Sequence, residues 1–162
     1  MKTLILVRHG KSSWEYSVGD KDRPLLQRGM NDAHLVSDSF NEQSIPIDAA
    51  FSSPANRALH TSMIFVRQLY FPLDKFRVVN ELYDFTGEYV LQFIKELNAD
   101  LDTVLIFGHN HAFTHIANSL GNSYIENVPT SGLVQIEFDV EDWQSIEKGI
   151  TKQTIFPKQL RG

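Results

Sequence analysis

The sequence predicts a three-layer α/β sandwich, with helices on both faces of a mostly parallel central sheet. Two continuous apolar runs, Thr3–Val7 and Thr103–Phe107, have the pattern of strands buried on both faces. Around them apolar residues recur at helical spacing, so strands and helices alternate along the chain. No repeat, low-complexity tract or Pro/Gly/Ser-rich linker interrupts the 162 residues, and one domain spanning 1–162 is expected.

Each element has its own warrant. After the first strand, Met30, Ala33, Val36 and Phe40 mark a helix over 27–41. Asp48–Phe51 reads as a short strand. Pro54 is expected to open the next helix, where its missing N–H is harmless, with Ala55, Leu59, Ser62, Val66 and Leu69 on one face. Arg77–Val79 is a further strand. Residues 87–97 form a helix with Val90, Leu91, Ile94 and Leu97 inward. After Thr103–Phe107, the stripe of Phe113, Ile116, Ala117 and Leu120 is helical, and Gly121 is its stop. Leu133–Val140 and the Thr- and Ile-rich 146–156 complete the sheet, the latter near an edge.

Composition excludes several classes of function. There is no cysteine, hence no disulfide framework, thiolate nucleophile or cysteine-ligated metal. The apolar run Leu4–Val7 is far too short for a signal peptide or a membrane span, so no membrane association and a cytoplasmic address are expected. The net charge of −5 argues against nucleic acid as a partner. The charge is uneven: residues 1–30 carry +3 and the remainder −8. A local basic patch on an acidic body suits a small anion.

In parallel sheets ligands bind at the carboxyl ends of the strands. The two best strands each deliver a histidine there, as Arg8-His9-Gly10 and Gly108-His109-Asn110. The strand at 48–51 leads into Ser52-Ser53-Pro54, with Arg57 in the first turn of the helix that follows. Two histidines, two arginines and a helix start are what phosphoryl transfer needs. Guanidinium groups grip the non-bridging oxygens, and a helix N-terminus favours the anion. A neutral imidazole attacks phosphorus, and nearby positive charge keeps it neutral near pH 7. A second imidazole, if cationic, adds a donor.

Arg8-His9-Gly10 after an N-terminal strand resembles the RHG signature of the histidine phosphatase superfamily, which has the phosphoglycerate-mutase-like fold. Asp22-Arg23-Pro24-Leu25 with Arg28-Gly29, Ser52-Ser53-Pro54 with Arg57-Ala58 and Thr61, Asn80-Glu81-Leu82, and Gly108-His109-Asn110 resemble further family segments in the same order. The short chain, with little room for a lid, looks most like the SixA-type phosphohistidine phosphatases. The resemblance implies that His9 is the phosphorylated nucleophile and that Arg8, Arg57 and His109 complete the phosphate pocket. Arg23 matches an arginine that lines the pocket, and Glu81 stands where larger members place a proton donor. Lys11, Ser12 and Asn110 flank these motifs and are taken as substrate-binding. The resemblance implies no metal and no cofactor. Where family chains often have Thr or Ser as the first helix's N-cap, this one has Leu26, at a cost of about 1 kcal/mol.

The expected substrate is phosphohistidine on a protein, because imidazole, with a pKa of about 6.5, leaves with little help from an acid. A small phosphoester substrate and a non-catalytic phosphate-binding module are the alternatives. A mutase is disfavoured, since keeping its intermediate needs enclosure from water. Asp84 and Glu88 are substitutes for Glu81 as acid, His111 is a candidate for the pocket rim, and Trp14 and Tyr16 are candidates for its wall or a partner contact. His34 and His60 read as structural or surface residues. His109-x-His111-x-x-x-His115 has a zinc-like spacing, but His109 is claimed by the phosphate pocket. Gly10-Lys11-Ser12 lacks the earlier glycine of a nucleotide-binding loop, since position 5 is Ile5. A monomer is expected.

Overall fold

In the computed structural model, which describes residues 1–162, six strands form one sheet. They are β1 (Lys2–Arg8), β2 (Ala49–Ser52), β3 (Phe76–Val78), β4 (Thr103–Gly108), β5 (Leu133–Phe138) and β6 (Ile150–Ile155). Their order is β3-β2-β4-β1-β5-β6. The first four are mutually parallel, whereas β5 pairs antiparallel with β1 and β6 pairs antiparallel with β5. The helices are α1 (Gln27–Asn41), α2 (Asn56–Gln68), α3 (Glu88–Lys95), α4 (Ala112–Leu120) and the unanticipated short α5 (Pro157–Leu160).

The apolar runs of β1 and β4 are continuous because both sheet faces are covered. Ile5, Val7, Leu105 and Phe107 pack with Ala33, Val36 and Phe40 of α1 and Phe65 of α2. Leu4, Leu6, Val104 and Ile106 face the other way, against Ile94 of α3 and Phe113 and Ile116 of α4. Each such fully buried side chain contributes about 1.5–3 kcal/mol. Helix α1 spans the expected residues, and its N-cap Leu26 makes no side-chain bond. At the far end α5 is tied to α1 through Arg161 and the buried carboxylate of Asp32.

Two expectations need correction. Pro54 does not open α2: the helix starts at Asn56, with Ala55 as N-cap. The buried face of α2 is also displaced in part from the expected one. Ala55, Ser62 and Val66 are buried as expected, but Leu59 and Leu69 are only partly covered, while Ala58, Thr61 and Phe65 are buried in addition. Thr61 is inside because its hydroxyl bonds the loop after β1, accepting from the Gly10 N–H at 2.9 Å.

Strand order places the site. Helix α1, which follows β1, packs on one face of the sheet, and α4, which follows β4, packs on the other. The chain therefore leaves adjacent parallel tips in opposite directions, opening a crevice between them.

Candidate active site

The crevice holds a cleft of about 300 Å³ lined by Arg8, His9, Lys11, Ser12, Trp14, Asp20, Arg23, Arg57, Phe85, Asn110 and Thr130. A larger cleft of about 750 Å³ lies against α3 and residues 142–144, but no arginine or histidine lines it.

Arg8 pairs with Gly108 across β1 and β4, and the His9 N–H donates to the Gly108 carbonyl at 3.0 Å. This places the His9 and His109 rings with centroids 5.2 Å apart. Behind His9, the loop meets the start of α1 backbone to backbone. A Cβ on Gly10 would lie 2.8 Å from the Gly29 carbonyl oxygen, and one on Gly29 would lie 2.3 Å from that of Lys11. Both positions therefore need glycine.

The hydrogen bonds fix both imidazole tautomers. His9 Nδ1 lies 2.7 Å from the Gly10 carbonyl, which can only accept, so Nδ1 carries the proton and Nε2 keeps its lone pair. His109 Nε2 lies 2.8 Å from the Ser53 hydroxyl, whose oxygen also accepts from the Ala55 N–H. Nε2 is the only acceptor bonded to the Ser53 hydroxyl proton, which assigns Ser53 as donor to Nε2 and leaves the proton of a neutral His109 on Nδ1. Both rings are neutral at pH 7. Burial, with the nearby charges of Arg57 and Arg8, outweighs the Gly10 bond and holds His9 well below its usual pKa of 6.5. Burial, and next Arg57, bring His109 down to about 3. The sequence reading allowed His109 to be cationic; among the protein's own charges it is a neutral donor.

Three guanidinium groups surround this pair. Arg57 is fully buried, and its Nη1 and Nη2 donate to the Asp20 carbonyl (2.6 Å) and carboxylate (2.8 Å). Arg23 donates to Asp20 Oδ1 at 3.2 Å and to the Ser12 hydroxyl at 2.7 Å. Arg8 donates to the Val128 carbonyl at 2.9 Å. Buried donors remain unpaired: Arg8 Nε, Arg57 Nε and His109 Nδ1, together with the Ser131 hydroxyl, whose oxygen sits beside Gly10. A buried polar group left unpaired costs about 1–3 kcal/mol, and the oxygens of a phosphoryl group would satisfy such donors.

Of the residues singled out in the sequence, Arg8, His9, Arg23, Arg57, Lys11, Ser12 and Asn110 line the cleft, with His109 fully buried. The Ser12 hydroxyl is engaged by Arg23, and the Asn110 amide holds Thr114 and Asn127, so both shape the site more than they offer free donors. Glu81 is not brought to the site. The turn Asn80–Leu82 buries Leu82 and leaves Glu81 exposed in a separate depression with Asn80, Tyr83 and Tyr89. Neither substitute acid serves. Asp84 accepts from the N–H groups of Thr86, Gly87, Tyr89 and Val90, capping α3, and Glu88 lines the larger cleft. Trp14 is in the cleft wall; Tyr16 and His111 are exposed and do not line it. His34 and His60 are on the surface. No group of three or more His, Asp or Glu side chains is placed to hold a metal ion. No helix is long and apolar enough to cross a membrane.

Sequence reasoning missed Asp20, Ser53 and Ser131. Asp20 lies in the turn Asp20–Asp22 and gathers Arg57, Arg23 and the Tyr83 hydroxyl, the last at 2.5 Å. Burial would raise its pKa, but the bonds from Tyr83, Arg57 and Arg23 outweigh that and hold it well below the usual range. Ser53 was visible as a strand-tip hydroxyl, although its role was not.

The model of the histidine phosphatase superfamily (branch 1) matches residues 4–88. A 2,3-bisphosphoglycerate-dependent phosphoglycerate mutase of Staphylococcus carnosus is 37% identical over 87 residues, 50% of this chain and 38% of the mutase. The chain thus aligns with about two-fifths of that relative's length. Among solved structures, the protein histidine phosphatase SixA complexed with tungstate superposes with a TM-score of 0.83 at 22% identity, over 98% of this chain and 99% of the other. A putative phosphohistidine phosphatase SixA from Agrobacterium tumefaciens gives 0.76 at 20% identity, over 95% and 97%. These likenesses establish the fold.

Proposed function

The chain belongs to the histidine phosphatase superfamily, and we propose that it is a phosphatase working through a phosphorylated His9. One observation carries this reading: the Gly10 carbonyl holds the proton of His9 on Nδ1 and leaves a bare Nε2 in a cleft ringed by guanidinium groups. Arg8, Arg23, Arg57 and His109 Nδ1–H bind the phosphoryl oxygens and offset their charge. His9 Nε2 forms a bond to phosphorus as the bond to the leaving group breaks. Water then attacks the phosphorylated imidazole, releasing phosphate and restoring Nε2.

The missing acid points to the substrate. Glu81 faces away, Asp84 caps a helix, and Asp20 is kept ionised. An alkoxide would depart from such a site without a proton donor. The imidazole of phosphohistidine leaves neutral once its other ring nitrogen has taken a proton from solvent, which an imidazolium pKa of about 6.5 allows near neutral pH without an acid from the protein. The substrate that fits is therefore phosphohistidine, carried on a protein, whose side chain can enter an open cleft.

The test compares a phosphohistidine-bearing protein with an alkyl phosphate, using wild type and His9→Ala. The expected result is turnover of the phosphohistidine at least tenfold faster, abolished in His9→Ala. Equal turnover of both substrates would refute the substrate assignment. Phosphate binding without turnover would leave a binding module.

A further inference from the structure

Two exposed rings stand in the wall of the cleft, and each is fixed from behind. Trp14 is 77% exposed, yet one face of its indole lies 3.6 Å from the Arg23 guanidinium. Phe85 is 43% exposed, with its ring centroid 4.9 Å from that of His109. Tyr83 braces it edge-on at 5.2 Å, and Tyr83 is itself held by Asp20. Rings this large are normally buried, and here both leave apolar surface in water at the cleft. Two of them, held in place at one opening, form a preorganised apolar surface. The rest of the mouth, Lys11, Asn110 and Thr130, is polar.

We propose that Trp14 and Phe85 form the leaving-group subsite, an aromatic slot above the phosphoryl pocket that takes a planar ring, the imidazole of the substrate. This rests on the phosphatase reading above and deepens it. The arginines and His109 hold the phosphoryl oxygens whatever the substrate; the slot selects what is attached to phosphorus. A flat ring finds stacking or edge contacts there, and an alkyl chain does not. The indole face turned to Arg23 is already engaged by a cation, which leaves the other face to the ligand.

Binding separates the slot from catalysis. Phenylphosphonate and methylphosphonate are non-hydrolysable and differ only in the group the slot would hold. Their affinities would be measured by calorimetry for wild type, Trp14→Ala and Phe85→Ala, beside inorganic phosphate. Wild type should prefer the phenyl compound, and each variant should weaken it by about 2- to 10-fold while changing methylphosphonate and phosphate by less than twofold. Equal weakening of all three ligands would overturn the slot and assign Trp14 to support of Arg23. No change in any would also overturn it. Failure of the phosphatase reading would appear separately, as no turnover of a phosphohistidine protein by wild type.

Discussion

Replacing Asp20 by alanine removes the counter-ion of a buried guanidinium. Arg57 is 1% exposed, and two of its donors end on residue 20; the variant keeps the bond to the backbone carbonyl and loses the one to the carboxylate. It also loses the bonds from Arg23 and Tyr83. Breaking a fully buried ion pair costs about 3–5 kcal/mol. The Asp20 side chain is 41% exposed, so water screens the pair and the loss falls to about 2 kcal/mol. For a chain of this size that lowers Tm by about 4–8 °C, read by thermal unfolding at pH 7. The pKa of Asp20 is depressed in the folded protein, so its contribution is full above the unfolded value of about 3.9 and fades as the pH falls below it. The gap between wild type and variant should therefore narrow below about pH 4. Inorganic phosphate should stabilise the variant more than wild type, because it pairs the freed guanidinium. An unchanged Tm, or a gap that widens on acidification, would refute the reasoning.

Three further outcomes follow from the same geometry. Glu81→Gln should leave kcat on phosphohistidine within twofold of wild type; a large loss would bring that carboxylate back to the chemistry. Asp84→Ala strips the acceptor from the first N–H groups of α3 and should lower stability by about 1–2 kcal/mol in urea unfolding, without an activity loss beyond unfolding. Since burial depresses both histidines, kcat/KM should not fall as the pH drops through 6.5, where an ordinary histidine nucleophile would be half protonated. A loss of rate on acidification with a midpoint at 6.5 would contradict the tautomer and burial assignments.

The strand tips were legible because β1 and β4 are buried on both faces, which makes them continuous apolar runs with a histidine directly after each. Arg57 was legible from its place at a helix start. The face of α2 was legible only in part: Ser62 and Val66 are inside as expected, but Thr61 is a polar group, and only the fold supplies the partner that draws it inward. Asp20 carried no signal: it sits in a charged loop, and besides the nearby Arg23 its partners Arg57 and Tyr83 lie 37 and 63 residues away in sequence. Glu81 misled for the opposite reason. Its surrounding Asn-Glu-Leu segment matches a family pattern, while the turn that contains it points the apolar Leu82 inward and the carboxylate out.

The central claim is that phosphorus passes through His9 Nε2. The most direct measurement is a rapid quench of wild type and His9→Ala mixed with a ³²P-phosphohistidine protein, followed by acid and alkaline treatment of the enzyme band. The account predicts a label on wild type that survives alkali, is lost in acid, and is absent from His9→Ala. A label that persists in His9→Ala, or turnover by that variant at the wild-type rate, would contradict it.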